Sequence, residues 1–198
     1  MSLLDDVTAF AKSNYLERDW PHIIEVVTLA RLLAARTGAD SETVTIAAYL
    51  HDISRATLGP KNHNVKSSEM AGEWLRQHGY PEERIERVTS AIESHLRPKT
   101  GPERLEVSLE GRILYDADKI NRARGMALVG ALVHLGSQST WEGLNYQQLR
   151  AAIRRGSDAS AEVLDSLYTD AARELALPGY RQTRDFCDYL LSMEIFSS

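Results

Sequence analysis

Cysteine is almost absent: Cys187 stands alone in 198 residues. One thiol excludes an intrachain disulfide and a thiolate metal cluster, and such usage fits a reducing compartment. Long apolar runs are missing too. The longest candidate, Met126 to Leu135, is far shorter than the ~20 residues of a membrane span and reads as a core helix. The first ten residues carry Asp5 and Asp6 where a secretory leader needs basic residues and then an apolar stretch. The expectation is a cytoplasmic protein with no membrane partner. Positive charge is not in excess either. The net charge is −5, spread over short mixed clusters, so no electrostatic case exists for a nucleic-acid partner. Three nucleotide or nucleophile fingerprints are lacking as well: Gly-x-x-x-x-Gly-Lys-Ser/Thr, Gly-x-Gly-x-x-Gly and Gly-x-Ser-x-Gly.

What is present is ordinary in bulk and specific in detail. Hydrophobic residues make up 43% and charged residues 26%, values of a globular domain long enough to bury a substantial core. Helical periodicity dominates, and nothing alternates with period two. The apolar spacing predicts a first helix from about residue 3 to 15. A second starts near Pro21 and stops at Gly38, and a third is capped by Asp40 or Ser41 and ends near Ile53. A polar loop from Ser54 to Asn64, broken at Gly59-Pro60, leads to helices near 65–78 and 81–95. A second punctuated loop, 97–102, precedes the helix that carries Asp116 and Asp118. The remainder reads as three or four helices with breaks near Gly136, Gly156 and Pro178-Gly179. The expected fold is all-α: a helical core over 1–125, with helices 126–198 packed on the same domain.

The chemistry concentrates in a few polar residues set into these apolar helices. His51-Asp52 closes the run Thr45-Ile46-Ala47-Ala48-Tyr49-Leu50, and His22 heads another apolar helix. By helical phase His22 shares a side with Val26, Leu29 and Leu33, and His51 shares one with Val44, Ala47 and Ala48, so both imidazoles are expected to face the core. Polar groups rarely enter such surfaces without a partner. A lone histidine of this kind is more often a hydrogen-bonded core residue than a ligand. Two of them with Asp52 and one of Asp116 or Asp118 make a donor set for a divalent ion (Mn, Fe, Co, Ni, Zn or Mg), with positions left open for water and substrate.

Residues 20 to about 125 resemble the HD-domain superfamily of metal-dependent phosphohydrolases. The elements that carry the resemblance are His22-Ile23-Ile24-Glu25-Val26, then Ala47-Ala48-Tyr49-Leu50-His51-Asp52, then Ala117-Asp118-Lys119-Ile120. It implies an HD-domain-like helical bundle in which His22, His51, Asp52 and Asp118 ligate one divalent cation. Asp118 is favoured by its Ala-Asp-Lys context, whereas helical phase slightly favours Asp116, which is taken as an acceptor behind the ligands. Some members use two further histidines to hold a second metal or to touch the substrate phosphate. His63 and His95 lie in the right segments and join Asp52 as expected catalytic residues. The bland alternatives are a solvated loop for His63 and a cation at a helix C-terminus for His95.

The implied activity is hydrolysis of a phosphate ester, a nucleotide by family habit. Non-catalytic nucleotide sensing and di-iron oxygenation are the rivals. Arg55, Lys61, Arg97, Lys99 and Arg122 are the expected phosphate-binding cations, with Lys119 beside them, and a homo-oligomer is possible. Some members carry an acidic general base just after the His-Asp pair. Arg55 stands in that stretch here, which leaves Glu25 and Glu69 as weak substitutes. Cys187, beside Phe186 on an apolar helix with no evident base, reads as a buried structural thiol.

Overall fold

Local signals start and stop most of the helices where physical chemistry requires. The computed structural model describes residues 2–59, 61–96, 106–138 and 145–193, and within them every regular element is helical. A Ser2–Asp5 capping box opens α1 (Leu3–Asn14). A 3₁₀ turn (Glu17–Asp19) leads into α2 (Trp20–Thr37), which has Pro21 in its first turn and ends at Gly38 in the left-handed conformation, φ 78°. Asp40 caps α3 (Ser41–Leu50) by accepting the Thr43 N–H at 2.8 Å.

The predicted loop after α3 is shorter than expected. A single turn, α4 (Arg55–Leu58), follows the His-Asp pair, and Asn62 at φ 55° reverses the chain so that α5 (His63–Gln77) begins at His63 itself. α6 (Glu82–Ser94) and α7 (Leu109–Asn121) follow. Then come a π-helical segment (Arg122–Met126), α8 (Ala127–Gln138), α9 (Tyr146–Ser166) and α10 (Asp170–Ser192).

The chain divides into two compact units, 1–118 and 119–198, with the boundary inside α7. The first is built on α2, α3, α5 and α6. Its core is filled by Ile23, Leu33, Ile46, Leu50, Ile53, Leu75, Ile85 and Ile92, all at most 1% exposed. Phe10 of α1 stacks on Trp74 of α5 at 4.8 Å between ring centroids. In the second unit Leu128, Ile153 and the buried Cys187 thiol form a core with Leu132, Leu149, Leu190 and Leu191 packed against it. No described helix is long and apolar enough to cross a membrane.

Three predicted breaks are corrected. α8 runs through Gly136, α9 through Gly156, and α10 through Pro178-Gly179. Two of these glycines serve close helix approach rather than interruption. A Cβ on Gly156 would sit 2.6 Å from Leu128 Cα, and one on Gly179 would sit 2.9 Å from Arg124 Cγ. The true irregularity is the π segment, where Gly125 has φ 130°. It is pinned by Thr183 Oγ1, which donates to the Arg124 carbonyl at 2.9 Å, and by Arg124 Nη2, which donates to the Leu175 carbonyl at 2.6 Å.

Gly156→Ala is therefore expected to destabilise the protein, although alanine is the better helix former by about 1 kcal/mol. The new methyl meets backbone, which cannot step aside, and overpacking of this kind costs about 1–3 kcal/mol. A thermal melt that rises on substitution would contradict this account of the α8–α9 contact.

Candidate metal centre

The C-terminal end of α3 is where the first unit turns polar. His51 is its C-cap, and the chain leaves the helix with Asp52 only 6% exposed and His51 fully buried. His51 Nδ1 lies 2.8 Å from the Ala48 carbonyl oxygen. A carbonyl can only accept, so Nδ1 carries the proton and Nε2 presents its lone pair. Burial lowers the His51 pKa, which keeps that ring neutral. Among the described residues its Nε2 has no hydrogen-bond partner. The same device holds His95, the C-cap of α6: its Nδ1 faces the Ile92 carbonyl at 2.5 Å, turning Nε2 to within 3.5 Å of Asp52 Oδ1.

Around this pair the other predicted residues gather. His63 Nε2 is 3.0 Å from Asp52 Oδ1, and Arg55 Nη1 donates to Asp52 Oδ2 at 2.9 Å. His22 Nε2 is 3.2 Å from Asp118 Oδ1. The His51 ring lies 6.1 Å from that of His22 and 5.1 Å from that of His95. One ligand atom each from His22, His51 and Asp118 lie within 4.8 Å of one another. So do one each from His51, Asp52 and His95, and His51 belongs to both sets.

Burial alone would push the Asp52 carboxyl up. His51, His63 and His95 overcome it and hold the group well below the usual carboxylate range. The hydrogen bond to Asp118 raises the His22 pKa, and that to Asp52 raises the pKa of Arg55.

His63 is fixed from behind. Ser54 Oγ donates to the His63 carbonyl at 3.0 Å, while Ser67 Oγ accepts the Ser54 N–H at 3.1 Å and donates to Ser54 Oγ at 3.0 Å. This buried serine pair ties the start of α5 to the turn after Asp52, and explains how His63 reaches back over so short a loop. The solvated-loop alternative does not describe His63, which is 8% exposed, while His95 does close its helix and is 1% exposed.

One expectation needs correction, and the remaining residues fall in different places. His22 does not face the core; its side chain is 44% exposed. It shares the phase of buried Val26, but sits in the first turn of α2, ahead of the buried stretch that begins at Ile23. Glu25 and Glu69 are exposed and are not among the residues lining the cleft over the cluster. Lys61 is exposed and also lies off that cleft. Arg122 is exposed and belongs to the second unit, as does Lys119. Arg97 and Lys99 lie outside the described residues. Asp116 is fully buried and engaged with partners of its own.

A cleft of about 370 Å³ opens over the cluster, lined by Tyr15, Leu16, Arg18, Asp19, His22, Ile23, Asp52, Arg55 and Ala56. The contribution of residues 15–19 was not legible in the sequence, because no spacing or motif links that turn to the His-Asp pair. Tyr15 Oη accepts the Asp52 backbone N–H at 3.0 Å. Burial, and then the Asp52 charge, raise the Tyr15 pKa well above its ordinary value.

The chemistry of the cluster fits a cation. Lone pairs of His51 and His95 converge with the Asp52 carboxylate in a nearly dry space. Leaving a buried ring nitrogen unsatisfied there costs about 1–3 kcal/mol. Neutral imidazoles and carboxylates are the donors that divalent transition metals take.

The sequence matches the HD domain family over residues 20–123, more than half of the chain. It is 28% identical over 159 residues to the uncharacterised protein YpgQ of Bacillus subtilis, spanning 80% of this chain and 75% of that one. The fold superposes on Bacillus subtilis YpgQ in complex with ADP with a TM-score of 0.69 at 24% identity, covering 94% of this chain and 92% of the other. A predicted HD superfamily hydrolase from an uncultured Thermotogales bacterium gives 0.65 at 22% identity, covering 95% and 91%. The matched segment begins two residues before His22 and takes in His51, Asp52, His63, His95 and Asp118. With its all-α fold and this segment together, the chain belongs to the HD-domain family.

Proposed function

We propose that the protein is a metal-dependent phosphohydrolase acting on a phosphate ester, with a nucleotide as the favoured substrate class. The observation that carries the reading is the buried His51 Nε2, left without a hydrogen-bond partner 3.8 Å from Asp52 Oδ2, Asp52 itself lining a cleft with Arg18 and Arg55. His22, His51, Asp52 and Asp118 would hold the ion. A divalent cation in such a set supplies Lewis-acid charge for a phosphoryl oxygen and acidifies water from a pKa of 15.7 to about 7. Arg55, half exposed and hinged on Asp52, reaches the non-bridging oxygens of a bound phosphate. His63 would hold a proton at Nε2 beside Asp52, where it can pass to a leaving oxygen, while His95 presents its Nε2 lone pair to the cluster. The preference for a nucleotide rests on the ADP complex of YpgQ.

Turnover of nucleotides and of p-nitrophenyl phosphate by the Mn(II)-loaded protein tests this. Release of phosphate that stops with a chelator and returns with Mn(II) supports the reading. Tight nucleotide binding without turnover would assign a sensor instead. One observation favours the oxygenase reading: His63 and His95, the further donors that a second ion would need, both stand beside Asp52, at 3.0 and 3.5 Å. Iron near two per chain, with no phosphate released, would select it.

Protons compete with the ion at His22. The Asp118 hydrogen bond raises the His22 pKa above the ordinary histidine value, so metal affinity is expected to fall as pH drops through that raised value. The stability of the metal-free protein runs the other way. The His22–Asp118 pair contributes fully below the unfolded histidine pKa, and its contribution is lost as pH rises through the folded one. Mn(II) titrations at several pH values check the first trend, and a pH-independent affinity would remove His22 from the ligand set.

A further inference from the structure

The turn ahead of α2 precedes the matched family segment, yet it builds one wall of the cleft through Tyr15, Leu16, Arg18 and Asp19. Tyr15 is the member that reaches the metal-ligand set. Its Oη accepts the Asp52 N–H at 3.0 Å, which occupies a lone pair and leaves the phenolic proton free to donate. Among the described residues that proton has no acceptor. The ring is held by Trp20, 6.3 Å away between centroids, which in turn stacks on Tyr49 at 6.2 Å. A phenol fixed in this way is a preorganised neutral donor at the floor of the cleft. Its neighbours at the rim, Arg18 and Arg55, are cationic donors, whereas the Asp19 carboxylate stands 3.5 Å from Arg18. Asp52 takes Arg55 in the same way at 2.9 Å, so the charged lining residues pair off and the Tyr15 O–H is the donor that no described acceptor takes up.

We propose that Tyr15 donates its phenolic O–H to a non-bridging oxygen of the phosphate group bound in this cleft, making the turn at 15–19 part of the substrate site. The inference rests on the phosphohydrolase reading. Tyr15 would touch substrate rather than metal, and the Asp52 N–H that it accepts would fix where the donor points.

The test is inorganic phosphate binding by isothermal titration calorimetry, at Mn(II) concentrations that saturate each variant. A hydrogen bond to a charged group is worth about a tenfold change in affinity or more. Tyr15→Phe is expected to weaken phosphate by that factor while the Mn(II) stoichiometry stays as in the wild type. Replacing Tyr15 with O-methyltyrosine keeps an acceptor for the Asp52 N–H and removes the donor. It should weaken phosphate as the phenylalanine does, with Mn(II) affinity preserved. A role confined to holding Asp52 predicts the opposite: O-methyltyrosine behaves like wild type, and Tyr15→Phe loses Mn(II) affinity while its phosphate affinity at saturation is unchanged. That result overturns the proposal and leaves the phosphohydrolase reading standing. Absence of phosphate binding by the Mn(II)-saturated wild type would remove both.

Discussion

Asp52→Ala is expected to lose both bound metal and turnover. Asp52 stands at the centre of the cluster, within 3.0 Å of His63 Nε2 and Arg55 Nη1 and 3.5 Å of His95 Nε2. Truncation removes one donor to the ion and the negative charge around which three imidazoles are arranged. A semi-open site that loses a ligand loses affinity and geometry together. The fold should weaken too, since the partners of a buried carboxylate are left unsatisfied at about 1–3 kcal/mol. Metal analysis, steady-state turnover and a thermal melt of the variant check the three effects. Full metal content at wild-type rate would sink the assignment.

The second large effect is a contrast. Asp118→Ala is expected to strip the metal, whereas Asp116→Ala should leave it bound and slow turnover by about 10- to 100-fold, the size of changes behind the ligands. The two carboxylates differ in setting. Asp118 is 11% exposed and stands 3.2 Å from His22 Nε2, while Asp116 is fully buried. Metal stoichiometry of the two proteins, measured side by side, decides the matter. The reverse order would make Asp116 the ligand and Asp118 merely the partner of His22.

Much of this arrangement was legible before any coordinates. The first helices are bounded by strong local signals, Gly38 and Asp40 among them, and their apolar phase places the His-Asp pair at the end of a buried helix. Family context then joined His22 and Asp118 to that pair. Helical phase misjudged His22, because phase says which side a residue lies on, not whether a neighbouring helix covers that turn. Gly156 and Gly179 misled for a related reason. A glycine that lets two helices touch looks, in one dimension, like a glycine that ends a helix. Tyr15 was invisible because its link to the site is a hydrogen bond to a backbone N–H, which any residue at 52 except proline would offer. The serine pair behind His63 was missed likewise, since hydroxyls that pin a backbone carbonyl leave no periodic trace.

The central claim is that four side chains from three helices hold a divalent ion, and metal content tests it most directly. The wild-type and His51→Ala proteins would be dialysed against Mn(II), stripped of loosely bound metal and analysed by mass spectrometry. His51 is the informative residue because its Nε2 is buried and turned to the cluster by the Ala48 carbonyl. The account predicts about one ion per wild-type chain and almost none in the variant. A wild-type protein that retains no ion, or a His51→Ala protein that retains the full complement, would contradict it.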